Sequence, residues 1–145
     1  MTSYSLYDAG SQLAVQINAA GTAPDITLIV PREYGNTQPA LAKKYWVNIE
    51  MVSEYREAET AASYIQHFNL DVWIWVATPD RIEGAAEYLA DRVQTILDKL
   101  EYNTLNGWAR VGLDNMGEVK YVKGPISTNA RYGAHFSVHI TKQVT

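Results

Sequence analysis

The chain has 145 residues, a length typical of one domain, residues 1–145, with a single hydrophobic core. It has no cysteine, which excludes disulfide scaffolds, cysteine-based zinc sites and thiol nucleophiles, and its net charge of −4 argues against a nucleic-acid-binding surface. We predict a soluble protein without a signal peptide or a membrane span, since no apolar run approaches the roughly 20 residues that a span needs.

The N-terminal third predicts a helix followed by strands. Residues 6–20 carry apolar residues at helical spacing, and Gly21 is the predicted stop. Residues 26–30 are an apolar, β-branched run that predicts a short strand. Residues 31–44 predict an exposed loop, and residues 45–51 alternate with the period of two that is typical of a strand with one face in the core.

A long hairpin is predicted next. Residues 53–69 are first polar and then alternate, which predicts two arms that project past the core, with the tip near residues 57–62. The strand of residues 70–77 continues from the second arm and has Trp73 and Trp75 on its second face. These side chains are hard to cover in a domain this small, which favours oligomerisation.

The clearest helix signal begins at Thr78-Pro79-Asp80, which offers an N-cap hydroxyl, a proline at the first helical position and a carboxylate near the positive end of the helix dipole. About 20 residues of amphipathic pattern follow. The predicted apolar stripe consists of Ile82, Ala85, Ala86, Leu89, Val93, Ile96, Leu97 and Leu100.

The C-terminal part predicts three more strands. Residues 108–113 and 119–122 flank the turn residues 114–117, and a loop spans residues 123–132. The last strand has Ala134, Phe136, Val138 and Ile140 inward and His135, Ser137, His139 and Thr141 outward. The pattern predicts an α+β fold: a mostly antiparallel sheet with a long hairpin, and one long and one shorter N-terminal helix packed on one face.

His135 and His139 are the first candidates for chemistry, because imidazole is the commonest metal ligand. Residues four apart in a strand share a face but lie about 13 Å apart, too far for one ion to bridge them. His67 cannot be placed beside either of them from the sequence. We therefore predict surface or interface histidines, with no metal, catalytic or cofactor-binding residues.

Acidic residues form two groups, on the hairpin and on the long helix. A pair of catalytic carboxylates would need to face each other in a cleft, and no such cleft is indicated. The helix group repeats every four residues, which sets like charges side by side and favours a solvated face. The two groups are Glu50, Glu54, Glu57 and Glu59, and Glu83, Glu87 and Asp91.

Four tryptophans and ten tyrosines could suggest a platform for single-stranded nucleic acid. The basic residues that such a platform needs are missing near Trp73 and Trp75, so packing in the core or at a subunit interface is favoured. No glycine-rich phosphate-binding loop and no Gly-x-Ser-x-Gly motif is present.

The order of elements resembles that of the tail terminator (tail-completion, neck) proteins of long-tailed bacteriophages. The segments that carry the likeness are residues 45–50 and 71–76 of the hairpin, Thr78-Pro79-Asp80 and residues 135–140. The resemblance implies a structural virion protein, not an enzyme and without a cofactor, made in the host cytoplasm. It implies a hexameric ring that ends the tail tube and joins it to the head-tail connector, while DNA passes through unbound.

The resemblance also implies partners and surfaces. The partners would be other copies of the chain, the tail tube protein and a connector or stopper protein, with the sheath protein as a further candidate and no membrane. The expected subunit interface holds Trp46, Trp73 and Trp75, and the expected docking residues for tube or connector are Tyr34, Asn36, Glu57 and Glu59. The expected acidic lumen is lined by residues from Glu50, Glu54, Glu83, Glu87 and Asp91.

Two alternatives remain open at this point. The first is another neck component, such as a connector or stopper. The second is a dimeric α+β enzyme or binding protein for a small molecule, with a pocket between sheet and helix and with His135 or His139 as acid or base.

Overall fold

The computed structural model describes residues 3–22, 24–29, 45–77, 82–123 and 131–145. The predicted loop 31–44, the predicted helix start at residues 78–80 and most of the predicted loop 123–132 lie outside the described residues. Within them, the chain forms two α-helices and one sheet of six strands.

The first helix, α1 (Leu6–Ile17), begins at a capping box. The Ser5 hydroxyl accepts a hydrogen bond from the Asp8 backbone N–H at 3.1 Å, and the Asp8 carboxylate accepts one from the Ser5 N–H at 2.8 Å. A π-helical turn follows at Asn18–Thr22 and contains Gly21 with a φ of 84°. The helix predicted over residues 6–20 is confirmed.

The sheet consists of β1 (Asp25–Ile29), β2 (Tyr45–Thr60), β3 (Ser63–Ala77), β4 (Arg110–Leu113), β5 (Lys120–Lys123) and β6 (Arg131–Val144). Its order is β1-β2-β3-β6-β4, and β5 also pairs with β6. Among the described strands, β1 and β2 pair in parallel and all other pairings are antiparallel. The predicted α+β fold with a mostly antiparallel sheet is therefore confirmed.

The second helix, α2 (Ile82–Leu100), packs on the same face of the sheet as α1. Leu89, Val93, Ile96 and Leu100 of its predicted stripe are buried, whereas Ala86 is exposed, contrary to the prediction. The core lies between these helices and the inward residues of β2, β3 and β6. In the described ranges, neither helix is long and apolar enough to cross a membrane.

The hairpin of β2 and β3 spans the predicted residues, but the prediction that both of its arms project past the core is wrong for the second arm. Its turn at residues 61–62 falls within the predicted tip. However, β3 also pairs with β6 up to Tyr64 and Val144, so only the β2 segment 52–60, which we call the arm, is exposed throughout. Near this end, the buried Gln66 side chain hydrogen-bonds the backbone N–H and C=O of Tyr4, which ties the N-terminal segment to the sheet.

Strands β4 and β5 do not form a hairpin with each other. They lie in line along one edge of β6, because β4 pairs with residues 138–141 and β5 with residues 132–135. The predicted turn between them is confirmed, with positive φ angles at Asn115, Met116 and Gly117. Trp108, predicted as the start of a strand, instead packs its ring against Tyr4 and Phe68.

Candidate functional site

One face of the sheet carries both helices, and no helix of the described chain packs on the other face, which we call the open face. Strand residues alternate between the two faces, so the register determines which side chains share the open face. They include Asp25 and Thr27 of β1, Trp46, Asn48, Glu50, Tyr55 and Glu57 of β2, His67, Asp71, Trp73 and Trp75 of β3, Arg110 of β4, Lys120 of β5, and Gly133, His135, Ser137 and His139 of β6.

A row of aromatic rings crosses the open face near β1. Trp46 stacks on Trp75 with ring centroids 6.3 Å apart, and Trp75 stacks on Trp73 at 5.8 Å. Trp73 in turn stacks on the His135 ring at 4.1 Å. Trp75 lies over Gly133, where an added Cβ would come within 2.5 Å of the indole. The glycine therefore provides the space that the Trp75 ring occupies.

Stacking within this row buries most of the tryptophan surface that was expected to form a subunit interface. The sequence suggested that Trp75 would lack cover, but Trp46 and Trp75 are each only 3% exposed within one chain. Trp73 is partly buried. Because a side chain so deeply buried presents almost no area to a neighbour, Trp73 is the member of the predicted interface set that remains accessible.

Two carboxylates stand next to each other in the middle of the open face. Glu50 and Asp71 are directly paired across β2 and β3, and Asp71 accepts a hydrogen bond from the Ser137 hydroxyl at 2.6 Å. Burial raises the pKa of Glu50, the charge of Asp71 raises it further, and a hydrogen bond from Trp73 lowers it. The face thus keeps an acidic centre at a cost in like-charge repulsion.

A histidine cluster lies at the base of the arm. His67 Nδ1 and His139 Nε2 are 2.8 Å apart, and His67 Nε2 is 2.8 Å from Glu57 Oε2. The Tyr55 ring stacks on His67 with centroids 4.4 Å apart and planes 5° from parallel. The cluster connects β2, β3 and β6 through side chains, and it gives His67 a position that the hydrophobic pattern alone does not predict.

The hydrogen-bond partners assign the tautomers of the cluster. The Glu57 carboxylate can only accept, so His67 Nε2 carries a proton and, in the neutral ring, its Nδ1 accepts from the Nε2–H of His139. Glu57 and His139 contact different ring nitrogens of His67, on opposite sides of the ring. The three side chains therefore cannot bind one metal ion together. In the described part of the chain, no group of three or more His, Asp or Glu could hold a metal ion.

The pH dependence of stability should contain a contribution from His139. Burial lowers its pKa, the Asp114 charge raises it and His67 lowers it. The folded state then binds fewer protons than the unfolded state below the ordinary histidine pKa of about 6.5, so stability should fall as the pH decreases through this value. We expect His139→Gln, which keeps a donor but cannot be protonated, to reduce this fall between pH 7.5 and 5.5, as measured by urea unfolding at both values.

Two other groups affect the same measurement. Burial also lowers the pKa of His135, so His135, like His139, makes stability increase as the pH rises. The pKa of Glu50 is raised instead, so Glu50 makes stability decrease as the pH rises. The free energy of unfolding of His139→Gln is therefore compared with that of the parent chain at each pH. An unchanged pH dependence in His139→Gln would show that His139 does not contribute.

The other predicted site residues are scattered. Glu59 accepts hydrogen bonds from Ser63 and Gln143, at 3.2 and 2.8 Å, near the end of the arm. Glu54 pairs with Phe68 and so lies on the helix side of the arm, where it is exposed. Glu87 and Asp91 are exposed on α2. Tyr34, Asn36 and the side chain of Glu83 lie outside the described residues.

Two grooves bear on the enzyme alternative. One, of about 550 Å³, runs beside His67, Arg110 and Thr141, and the other, of about 340 Å³, lies between Leu89 of α2 and Tyr121 of β5. Neither groove is lined by His135 or His139, the residues that the alternative requires as acid or base.

The geometry defines an α+β domain with helices on one face of a sheet and an aromatic, acidic open face on the other. No protein-family model matches the sequence, and no curated protein matches it. The fold is similar to that in a cryo-EM structure described as an extracellular contractile injection system, PVC sheath/tube terminator in the extended state, with a TM-score of 0.52 and 14% sequence identity. The alignment covers 100% of this chain and 58% of that chain, so this chain spans little more than half its length.

Proposed function

We propose that this chain is a structural subunit that ends the tube of a bacteriophage tail or a tail-like particle. The observation that carries the proposal is the likeness of the whole chain to a sheath/tube terminator. The subunits form a closed ring, with six copies as the expected number, which stops the tube and meets a connector or stopper on its other side. The protein performs this role in the particle, without chemistry or a cofactor.

The open face is the surface proposed to line the ring lumen. Glu50 lies on the open face, whereas Glu87 and Asp91 are exposed on the helix that covers the opposite face. One lumen can therefore be lined by Glu50 or by Glu87 and Asp91, but not by both. Among the described side chains assigned above to the open face, acidic ones outnumber basic ones, namely Asp25, Glu50, Glu57 and Asp71 against Arg110 and Lys120.

Such a lumen would let DNA pass without binding it. Phosphate groups are bound mainly by clustered Lys and Arg side chains, and an excess of carboxylates repels them. Glu50 and Asp71 would face the passing polymer, together with the partly buried Trp73. The helices would then lie on the outside of the ring, where Glu87 and Asp91 keep the surface solvated.

The arm is the proposed contact with the tube or connector. It is exposed throughout residues 52–60, and two of its three carboxylates are held in position, Glu57 by His67 and Glu59 by Ser63 and Gln143. Fixed charges at the end of a rigid hairpin lose little side-chain entropy when a partner binds. Tyr34 and Asn36 remain proposed members of this contact.

The test has two parts. The mass of the purified chain is measured in solution, alone and with its tube protein, and negative-stain images are recorded. In the producing cells, removal of the gene should give tubes of uncontrolled length, and the intact gene should restore a uniform length. Rings with an axial opening, alone or on tube ends, are the expected result. A compact dimer that never forms rings, together with tubes of normal length after gene removal, would overturn the proposal.

A further inference from the structure

The edge strands β1 and β5 lie on opposite sides of the sheet and run in opposite directions. Two rows of paired residues cross it from β1 to β5. The first row is Asp25, Trp46, Trp75, Gly133 and Val122, and the second is Thr27, Asn48, Trp73, His135 and Lys120. In the described part of the chain, β1 pairs only with β2 and β5 only with β6. Each therefore has a row of backbone groups turned away from the sheet.

We infer that β1 of one copy pairs with β5 of the next copy, so that the sheets of the ring join into one closed barrel. This rests on the proposed ring. Copies in a ring with cyclic symmetry repeat in the same orientation and use a head-to-tail contact of two different surfaces. The strands β1 and β2 run in one direction, whereas β5 runs opposite to β6 and hence opposite to β1. The new contact is therefore an antiparallel ladder.

Charge and exposure agree with this pairing. Asp25 and Thr27 are exposed on β1, and Lys120 is exposed on β5, all three on the open face. With Thr27 opposite Lys120 of the next copy, Asp25 of the first copy is the diagonal neighbour of that lysine. A diagonal separation of about 7–8 Å is within reach of a long side chain, so opposite charges attract across the contact.

Closure also explains how the chain avoids open association through these edges. Exposed edge strands are templates for uncontrolled pairing, and a closed barrel removes them. The open face of every copy then points inward and the helices outward, which is the arrangement proposed for the lumen. The inference thus identifies the main chain of β1 and β5, rather than the buried Trp46 and Trp75, as the centre of the subunit contact.

The absence of native cysteine allows a direct test by disulfide trapping. Paired positions on neighbouring strands have Cα atoms close enough for a disulfide, which needs about 4.4–6.8 Å. The two test variants are Thr27→Cys with Lys120→Cys, and Thr27→Cys with Val122→Cys, the second of which detects a shift of two residues. The control combines Thr27→Cys with Tyr102→Cys, because Tyr102 is 89% exposed and outside both edges. The oxidised proteins are separated on non-reducing gels, and their particles are imaged.

The expected result is a ladder of linked chains in one of the test variants, with none in the control or in the single-cysteine chains. Rings without linkage in either test variant, or with equal linkage in the control, would overturn the β1–β5 pairing and leave the proposed ring standing. Linkage without rings would support the pairing and overturn the ring. If neither linkage nor rings form, even with the tube protein present, both are overturned.

Discussion

Trp75→Ala should lower the free energy of unfolding by about 3–5 kcal/mol, the usual cost of removing a buried large aromatic side chain. Trp75 is 3% exposed, stacks on Trp46 and Trp73 and contacts Gly133 closely. Its removal leaves a cavity between these rings that the sheet cannot close, because main-chain pairing holds β2, β3 and β6 in place. Urea or thermal unfolding at neutral pH measures the loss.

Trp73→Ala is the matched control. The same ring type is removed from the same strand two residues away, but Trp73 is only partly buried and ends the row against His135. We expect a clearly smaller loss of stability than in Trp75→Ala. Equal and small losses in both variants would show that the row is not part of the fold of a single chain, and that these rings are covered only by a neighbouring subunit.

The elements that the sequence predicts well are those with a regular pattern of burial. Residues 134–140 alternate without exception, and β6 buries Ala134, Phe136, Val138 and Ile140 as expected. The stripe of α2 is correct from Leu89 to Leu100. In both cases the period of the hydrophobic residues determines the element and its buried face together.

The histidine cluster could not be predicted, because it depends on which strands are neighbours. His67 and His139 are far apart in the chain and meet since β3 pairs with β6 across the intervening helix α2 and strands β4 and β5. In this register Asn69 pairs with His139, which makes His67 a diagonal neighbour of His139 on the open face. Knowledge of the pairing and its register would have been sufficient to place the cluster.

The cover of Trp75 had a signal in the sequence that the hydrophobic pattern does not use. A glycine inside a strand often marks a place where another group comes close to the backbone. Gly133 is such a residue at the start of the last strand, and it lies opposite Trp75. The alternation rule assigns Trp75 to an uncovered face, whereas the missing side chain of Gly133 leaves space that the indole occupies.

Gly133→Ala should therefore lower the free energy of unfolding by about 1–3 kcal/mol, the usual cost of adding a methyl group to a filled site. An added Cβ would lie 2.5 Å from Cε3 of Trp75 and 2.6 Å from Cζ3, closer than real side-chain contacts. The ring has little room to move, because Trp46 and Trp73 stack on it. Denaturant unfolding of the variant and the parent chain measures the difference.

Gly112→Ala is the control, since an added Cβ at Gly112 would lie 3.6 Å from the His139 carbonyl oxygen, an ordinary contact. We expect no loss of unfolding free energy in Gly112→Ala, or a gain of about 0.4–1 kcal/mol from the reduced freedom of the unfolded chain.

A double-mutant cycle identifies the partner in the clash. In the Trp75→Ala background, Gly133→Ala should no longer destabilise, because the methyl group then enters the space left by the indole. An equal cost in both backgrounds would mean that the strain at Gly133 arises from the backbone and not from Trp75.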